Sequence, residues 1–225
     1  MLEMKNKSDA ALIVLHEIYG INRHMETVCE RFFRQGYDVF CPDLTNAGKP
    51  FDYSQEEEAY RHFMKNVGFE SAAKKAKQVI TKVREQYRYL FVLGFSIGAT
   101  TAWLLSGDCN VCDGLAGYYG SRIRDFPHIV PKCPALLIFP EEEKSFSVEE
   151  LAGSLIRPNV EVRVLCGKHG FSDPFNNNFN EKSCANAANL TDAFFERIKG
   201  KNMRLLTHEE GEIQNDSKGK FEGKG

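Results

Sequence analysis

Six short, apolar, β-rich runs separated by stretches of helical period constrain this chain more than any other feature. They are Ala10–His16, Tyr37–Pro42, Tyr89–Gly94, Cys112–Gly120, Ala135–Pro140 and Val160–Gly167. Most are apolar at successive positions instead of alternating, as expected for strands covered on both faces of a parallel sheet. Between them, Met25, Val28, Cys29, Phe32 and Phe33 form one helical stripe, with Gly36 placed just past its end. Phe69, Ala72, Ala76, Val79, Ile80 and Val83 form a second, and Cys184, Ala187, Thr191, Phe194, Phe195 and Ile198 a last one. Ser147 followed by Glu150 makes a capping box for a short helix ahead of Pro158. This rhythm predicts an α/β fold: a doubly wound, mostly parallel sheet with helices on both faces and right-handed crossovers.

The length of 225 residues suits one domain. Its expected bounds are 1–199, followed by a polar, mobile tail over 200–225, where the apolar period lapses. Residues 43–60 mix turn formers with an acidic run and read as a loop excursion beside a site. The net charge is −2, and no segment supplies a basic field for phosphate backbones, so nucleic acid is excluded as an expected partner. No apolar run reaches the length of a membrane span. The N-terminal "MLEMKNKSDAALIVLHEIYG" reads as a first strand and not as an export signal. Seven cysteines without metal-type spacing point to a reducing cytoplasm, with most of them buried as small hydrophobes. A monomer without cofactor or metal is expected.

The chemistry-bearing stretch is "LFVLGFSIGATTAW", Leu90 to Trp103. A GxSxG match alone is weak, but here it sits where an apolar strand ends and a helical pattern begins, the setting of a nucleophile elbow. Ser96 would then be presented at the carboxyl end of the sheet, with the Ile97 amide at the helix N-terminus facing developing negative charge. The competing reading makes Ser96 an ordinary helix cap. Among six histidines, His169 is the expected base, because it lies between Gly167 and Gly170 just past the last strand. The acid should follow the fifth run, where Glu141, Glu142 and Glu143 compete; Asp173 is held in reserve. Cys166 offers an alternative thiol chemistry, though it is expected to be a buried strand residue.

"HEIYGIN" (His16 to Asn22), "GFSIGA" (Gly94 to Ala99), "YYG" (Tyr118 to Gly120), "LLIFPEEE" (Leu136 to Glu143) and "KHGF" (Lys168 to Phe171) resemble, in order and spacing, the dienelactone hydrolase family of α/β-hydrolases. The likeness covers about residues 8 to 199 and implies an α/β-hydrolase-type sheet. It implies Ser96 as nucleophile, His169 as base and Glu143 as acid, where the family usually has aspartate. It also implies the amides of Ile18 and Ile97 as oxyanion donors. Glu17 matches the family's glutamate after the first strand. Dienelactone hydrolase itself carries a cysteine at the elbow, tuned by that glutamate; beside a serine, Glu17 can instead hold loops together by charged hydrogen bonds. Where the lactone enzyme clamps its substrate carboxylate with two arginines, the alignment of loops puts Glu56 and Asp173, which disfavours a dicarboxylate-like substrate. Tyr60, Tyr118, Phe171 and Phe175 are expected to line an aromatic, fairly apolar pocket. The expected function is hydrolysis of a small carboxylic ester, lactone or thioester through an acyl-enzyme; the alternative is a non-catalytic binding or scaffold protein that retains the fold.

Overall fold

The computed structural model of the protein describes residues 1–218, and side chains as far as residue 200. Seven strands form one sheet in the order β1-β3-β2-β4-β5-β6-β7. They span Leu2–Met4 (β1), Ala10–Leu15 (β2), Asp38–Cys41 (β3), Tyr89–Phe95 (β4), Gly114–Tyr118 (β5), Ala135–Glu142 (β6) and Val160–Lys168 (β7). β1 runs antiparallel to β3 and every other pairing is parallel. The helices are Arg23–Arg34 (α1), Glu56–His62 (α2), Gly68–Val83 (α3), Ile97–Leu105 (α4), Val148–Ser154 (α5) and Glu181–Lys218 (α6).

The continuous apolar runs are explained by two cores, one on each face of the sheet. Ala10, Leu12, Val14, Phe91 and Leu93 pack with Met25, Cys29 and Phe32 of α1 and Phe194, Phe195 and Ile198 of α6. The alternate residues Ala11, Ile13, Leu15, Leu90 and Val92 pack with α3, α4 and α5 through Ala76, Ile80, Trp103 and Leu151. Successive side chains on a strand point to opposite faces, so a strand covered twice must be apolar at every position. All six residues of β2 and all seven of β4 are buried. These two strands carry the residues that shape the site.

Four expectations change. β1 is an edge strand of three residues, too short to show a period. The acidic run inside residues 43–60 is helical: Glu56, Glu57 and Glu58 form the first turn of α2, where carboxylates complement the helix dipole. Cys166 is exposed, since β7 is an edge strand covered on neither face throughout. Helix α6 is continuous from Glu181 to Lys218, past the expected domain end at residue 199. The rest of the tail expected to be mobile, 219–225, lies outside the described residues. Among the described residues, no helix is long and apolar enough to cross a membrane.

Candidate active site

Ser96 occupies the turn between β4 and α4 with φ 52° and ψ −112°. A residue with a Cβ held in such a region costs of order 1–3 kcal/mol and needs its surroundings to impose it. Those surroundings are the backbones of neighbouring strands. A Cβ on Gly98 would lie 2.0 Å from the Leu15 carbonyl oxygen, and one on Gly94 would lie 2.4 Å from the Gly98 carbonyl oxygen. Both glycines are therefore required for α4 to seat against β2 and β4. The Ser96 amide donates to the Tyr118 carbonyl at 2.9 Å, which closes the turn onto β5. The Ser96 hydroxyl caps none of the α4 amides, so the helix-cap reading does not describe it.

His169 lies just past β7. Its Nε2 is 2.9 Å from Ser96 Oγ and its Nδ1 is 2.7 Å from Glu143 Oε1. A carboxylate can only accept at Nδ1, so that nitrogen carries the proton and Nε2 turns its lone pair to the serine hydroxyl. Burial alone would lower the proton affinity of the ring. Glu143, helped by the more distant Glu17 and Glu56, more than offsets this and holds His169 above its usual value. Asn178 holds the backbone of this loop, its Nδ2 donating to the His169 main-chain carbonyl at 2.8 Å.

The choice among the three glutamates follows from the sheet. Glu142 pairs with Lys168 after a register shift that follows the Pro140–Leu165 pair, so β7 carries one residue more than β6 there. Gly167 absorbs that bulge with φ +127°, a conformation that favours glycine. Glu141 and Glu142 stay exposed, while the Glu143 side chain is only 7% exposed and turns to His169.

A cavity of about 630 Å³ opens over Ser96, bordered by Ile18, Ile97, Tyr19 and Tyr60. As the first residue of α4, Ile97 has an amide without an intrahelical partner, available to an incoming oxygen. The expectation of an apolar aromatic pocket is corrected. Glu17, Glu56, Glu142 and Glu143 face Arg122, Lys144 and Lys168 around it, and of the four expected aromatics only Tyr60 lines it. The Tyr60 hydroxyl accepts from Arg122 Nη1 at 2.8 Å. Tyr118 is buried, and its hydroxyl bonds the Ala187 carbonyl and Thr191 of α6, so it supports Ser96 through its carbonyl and not through its ring. Phe171 is fully buried against Tyr119, because the turn after His169 points it inward. Phe175 stacks under the Arg23 guanidinium.

Tyr119, which sequence patterns did not single out, and several buried neighbours complete the surroundings. Tyr119 stands at φ 41°, its ring 5.0 Å from that of His169. Its hydroxyl lies 2.7 Å from Glu17 Oε1 and 3.0 Å from Ser172 Oγ. Glu17 is 4% exposed and thus links the loop after β2 to the loop after β7. The only sequence signal for Tyr119 was its place in "YYG" at a strand end. His16 accepts the Leu44 amide at Nε2 (2.7 Å), which leaves Nδ1 to donate to the Glu17 carbonyl (2.6 Å). This fixes the loop that carries Ile18. Asp173, the reserve acid, is fully buried and accepts from the Tyr53 hydroxyl; it neither lines the cavity nor meets His169.

The model of the dienelactone hydrolase family matches residues 1–199. The Bacillus subtilis protein YczH is 38% identical over 75% of this chain and 84% of its own length. Carboxymethylenebutenolidase of Pseudomonas putida is 29% identical over 58% of this chain and 59% of that enzyme. Among solved structures, a dienelactone hydrolase-like promiscuous phosphotriesterase from metagenomic libraries superposes with a TM-score of 0.70 at 15% identity. It covers 86% of this chain and 88% of its own, a likeness of fold. With the strand order, the elbow and a match over nearly the whole described chain, the protein belongs to the dienelactone hydrolase family and is a hydrolase of the α/β-hydrolase fold.

Proposed function

We propose that the protein hydrolyses a small carboxylic ester, lactone or thioester through a serine acyl-enzyme. The observation that carries this reading is the hydrogen-bonded line Ser96–His169–Glu143, with links of 2.9 and 2.7 Å. His169 Nε2 takes the hydroxyl proton as Ser96 Oγ attacks the substrate carbonyl carbon. The amides of Ile97 and Ile18 receive the oxyanion, where prearranged donors act most strongly. Glu143 stabilises the imidazolium, which then protonates the departing alkoxide or thiolate. Water, deprotonated by the same imidazole, attacks the acyl-enzyme and releases the acid and free Ser96.

Cavity size and charge support a compact substrate. About 630 Å³ accommodates a small ester with its leaving group. Glu56 at the lining and Glu17 beside Ile18 disfavour a second carboxylate near them, which supports neutral esters over dicarboxylates.

The test is turnover of p-nitrophenyl acetate, butyrate and octanoate by the wild type and by Ser96→Ala. The reading predicts saturable hydrolysis, fastest with the short chains, and loss of about three orders of magnitude or more in kcat on substitution. Folded wild-type protein with no more turnover than Ser96→Ala would instead indicate a binding protein on a hydrolase scaffold.

A further inference from the structure

Beside the cavity, three titratable side chains outside the Ser96–His169–Glu143 line meet in the interior. Glu17 follows β2, His24 lies in the first turn of α1, and Asp173 lies in the loop after β7. They are 4%, 2% and 0% exposed. One donor atom from each lies within 4.8 Å of the other two. Two carboxylates buried together need a compensating positive charge. Among the described residues, neither has a lysine or arginine within ion-pair distance; the only basic neighbour is His24, at 3.6 Å from Asp173. Their other hydrogen bonds come from uncharged donors: the Tyr119 hydroxyl to Glu17 at 2.7 Å, and the Tyr53 hydroxyl and the Phe175 amide to Asp173 at 2.5 and 2.9 Å.

His24 supplies a second, independent observation. Its Nδ1 is buried and has no hydrogen-bond partner, although it faces Asp173 Oδ2. The 3.6 Å separation is longer than a hydrogen bond to a ring nitrogen. It is close to the spacing of two ligands on one tetrahedral ion, which for bonds of about 2.0–2.1 Å is about 3.3–3.4 Å.

We infer that Glu17, His24 and Asp173 form a binding site for one divalent transition-metal ion of zinc type. One imidazole nitrogen with two carboxylate oxygens is a donor set for such a borderline cation. The hydroxyls of Tyr53 and Tyr119 hold the carboxylates in place, the outer support that metal ligands generally have. Glu17 also lines the cavity, which gives the ion a route in. An ion here ties the loop after β2, helix α1 and the loop after β7 together. Two of those segments carry Ile18 and His169, so the ion braces both walls of the pocket.

The test uses the full chain, stripped with a chelator and titrated calorimetrically with zinc chloride, with zinc content measured after gel filtration. The site predicts one zinc per chain. His24→Gln and Asp173→Asn should each weaken binding at least tenfold, while His169→Ala should leave it unchanged. X-ray absorption at the zinc edge of the wild type needs no variant to fold; it should show one imidazole and otherwise oxygen at about 2.0–2.1 Å. No stoichiometric uptake would overturn the inference. Binding that survives His24→Gln, that is lost in His169→Ala, or that shows sulfur or several imidazoles would overturn it too. None of these readouts depends on ester turnover, so the metal site and the serine mechanism stand or fall separately.

Discussion

Glu143 Oε1 stands 2.7 Å from His169 Nδ1, at the end of a side chain one methylene longer than the aspartate that the family resemblance implies. The longer reach matters because β6 and β7 fix the backbone on either side. Shortening the side chain by one carbon withdraws the carboxylate by about 1.5 Å, beyond hydrogen-bond distance. Glu143→Asp should therefore behave like Glu143→Gln, with kcat on a nitrophenyl ester falling by about two to four orders of magnitude. An aspartate variant near wild-type activity would show that the loop adapts and that the length of Glu143 carries no weight.

The pH profile follows from the same contact. Only the neutral imidazole can accept the serine proton, so kcat/KM should rise with pH as His169 loses its proton. In the wild type the midpoint should lie above the usual 6.5, because Glu143 outweighs burial. Glu143→Gln removes the largest raising influence and leaves burial opposed only by the more distant Glu17 and Glu56, so its midpoint should fall to lower pH even as the rate drops. A titration of kcat/KM for both proteins checks this. A midpoint that stays or moves upward contradicts the assignment.

The elbow glycines make a prediction about stability. Gly98→Ala forces a Cβ to 2.0 Å from the Leu15 carbonyl oxygen, and backbone cannot step aside. The loss should reach or exceed the 1–3 kcal/mol typical of overpacking. Gly153 in α5 has nothing within 4 Å of the same atom, so Gly153→Ala should stabilise by about 0.5–1 kcal/mol. Urea melts with unchanged slopes would measure both. Equal effects at the two positions would contradict the close approach of α4 to β2.

Charge at the pocket can be tested at Glu56, which lines the cavity from the first turn of α2. Glu56→Lys should lower KM several-fold for an ester whose acyl group carries a carboxylate, such as a succinate monoester, and leave KM for the acetate ester nearly unchanged. Steady-state kinetics on the pair decides it. An equal change for both substrates would mean that Glu56 acts on the fold and not on substrate charge.

How much of this was legible in the sequence varies by physical cause. The inner strands β2 and β4 were readable because coverage on both faces leaves no polar position. Helix α2 was not, since it buries only Ala59 of its seven residues and shows charge where a period would be. Ser96 and His169 were visible because each depends on its own local turn and flanking glycines. The Tyr119–Glu17 contact joins residues 102 positions apart, and no local pattern encodes such a meeting. The same holds for His24 and Asp173, which come together only through the fold. Tyr118 and Phe171 misled because aromatics beside a catalytic motif suit a core as well as a pocket. Their direction is set by where the strand ends and the loop turns.

The central claim is that Ser96 is the attacking nucleophile, and a fluorophosphonate tests it most directly. Intact-mass spectrometry of the wild type should show one adduct per chain, mapped to the peptide that contains Ser96. The adduct should be absent in Ser96→Ala and form far more slowly in His169→Ala. Folded, ester-hydrolysing protein that takes no label, or takes it at another residue, would contradict the account.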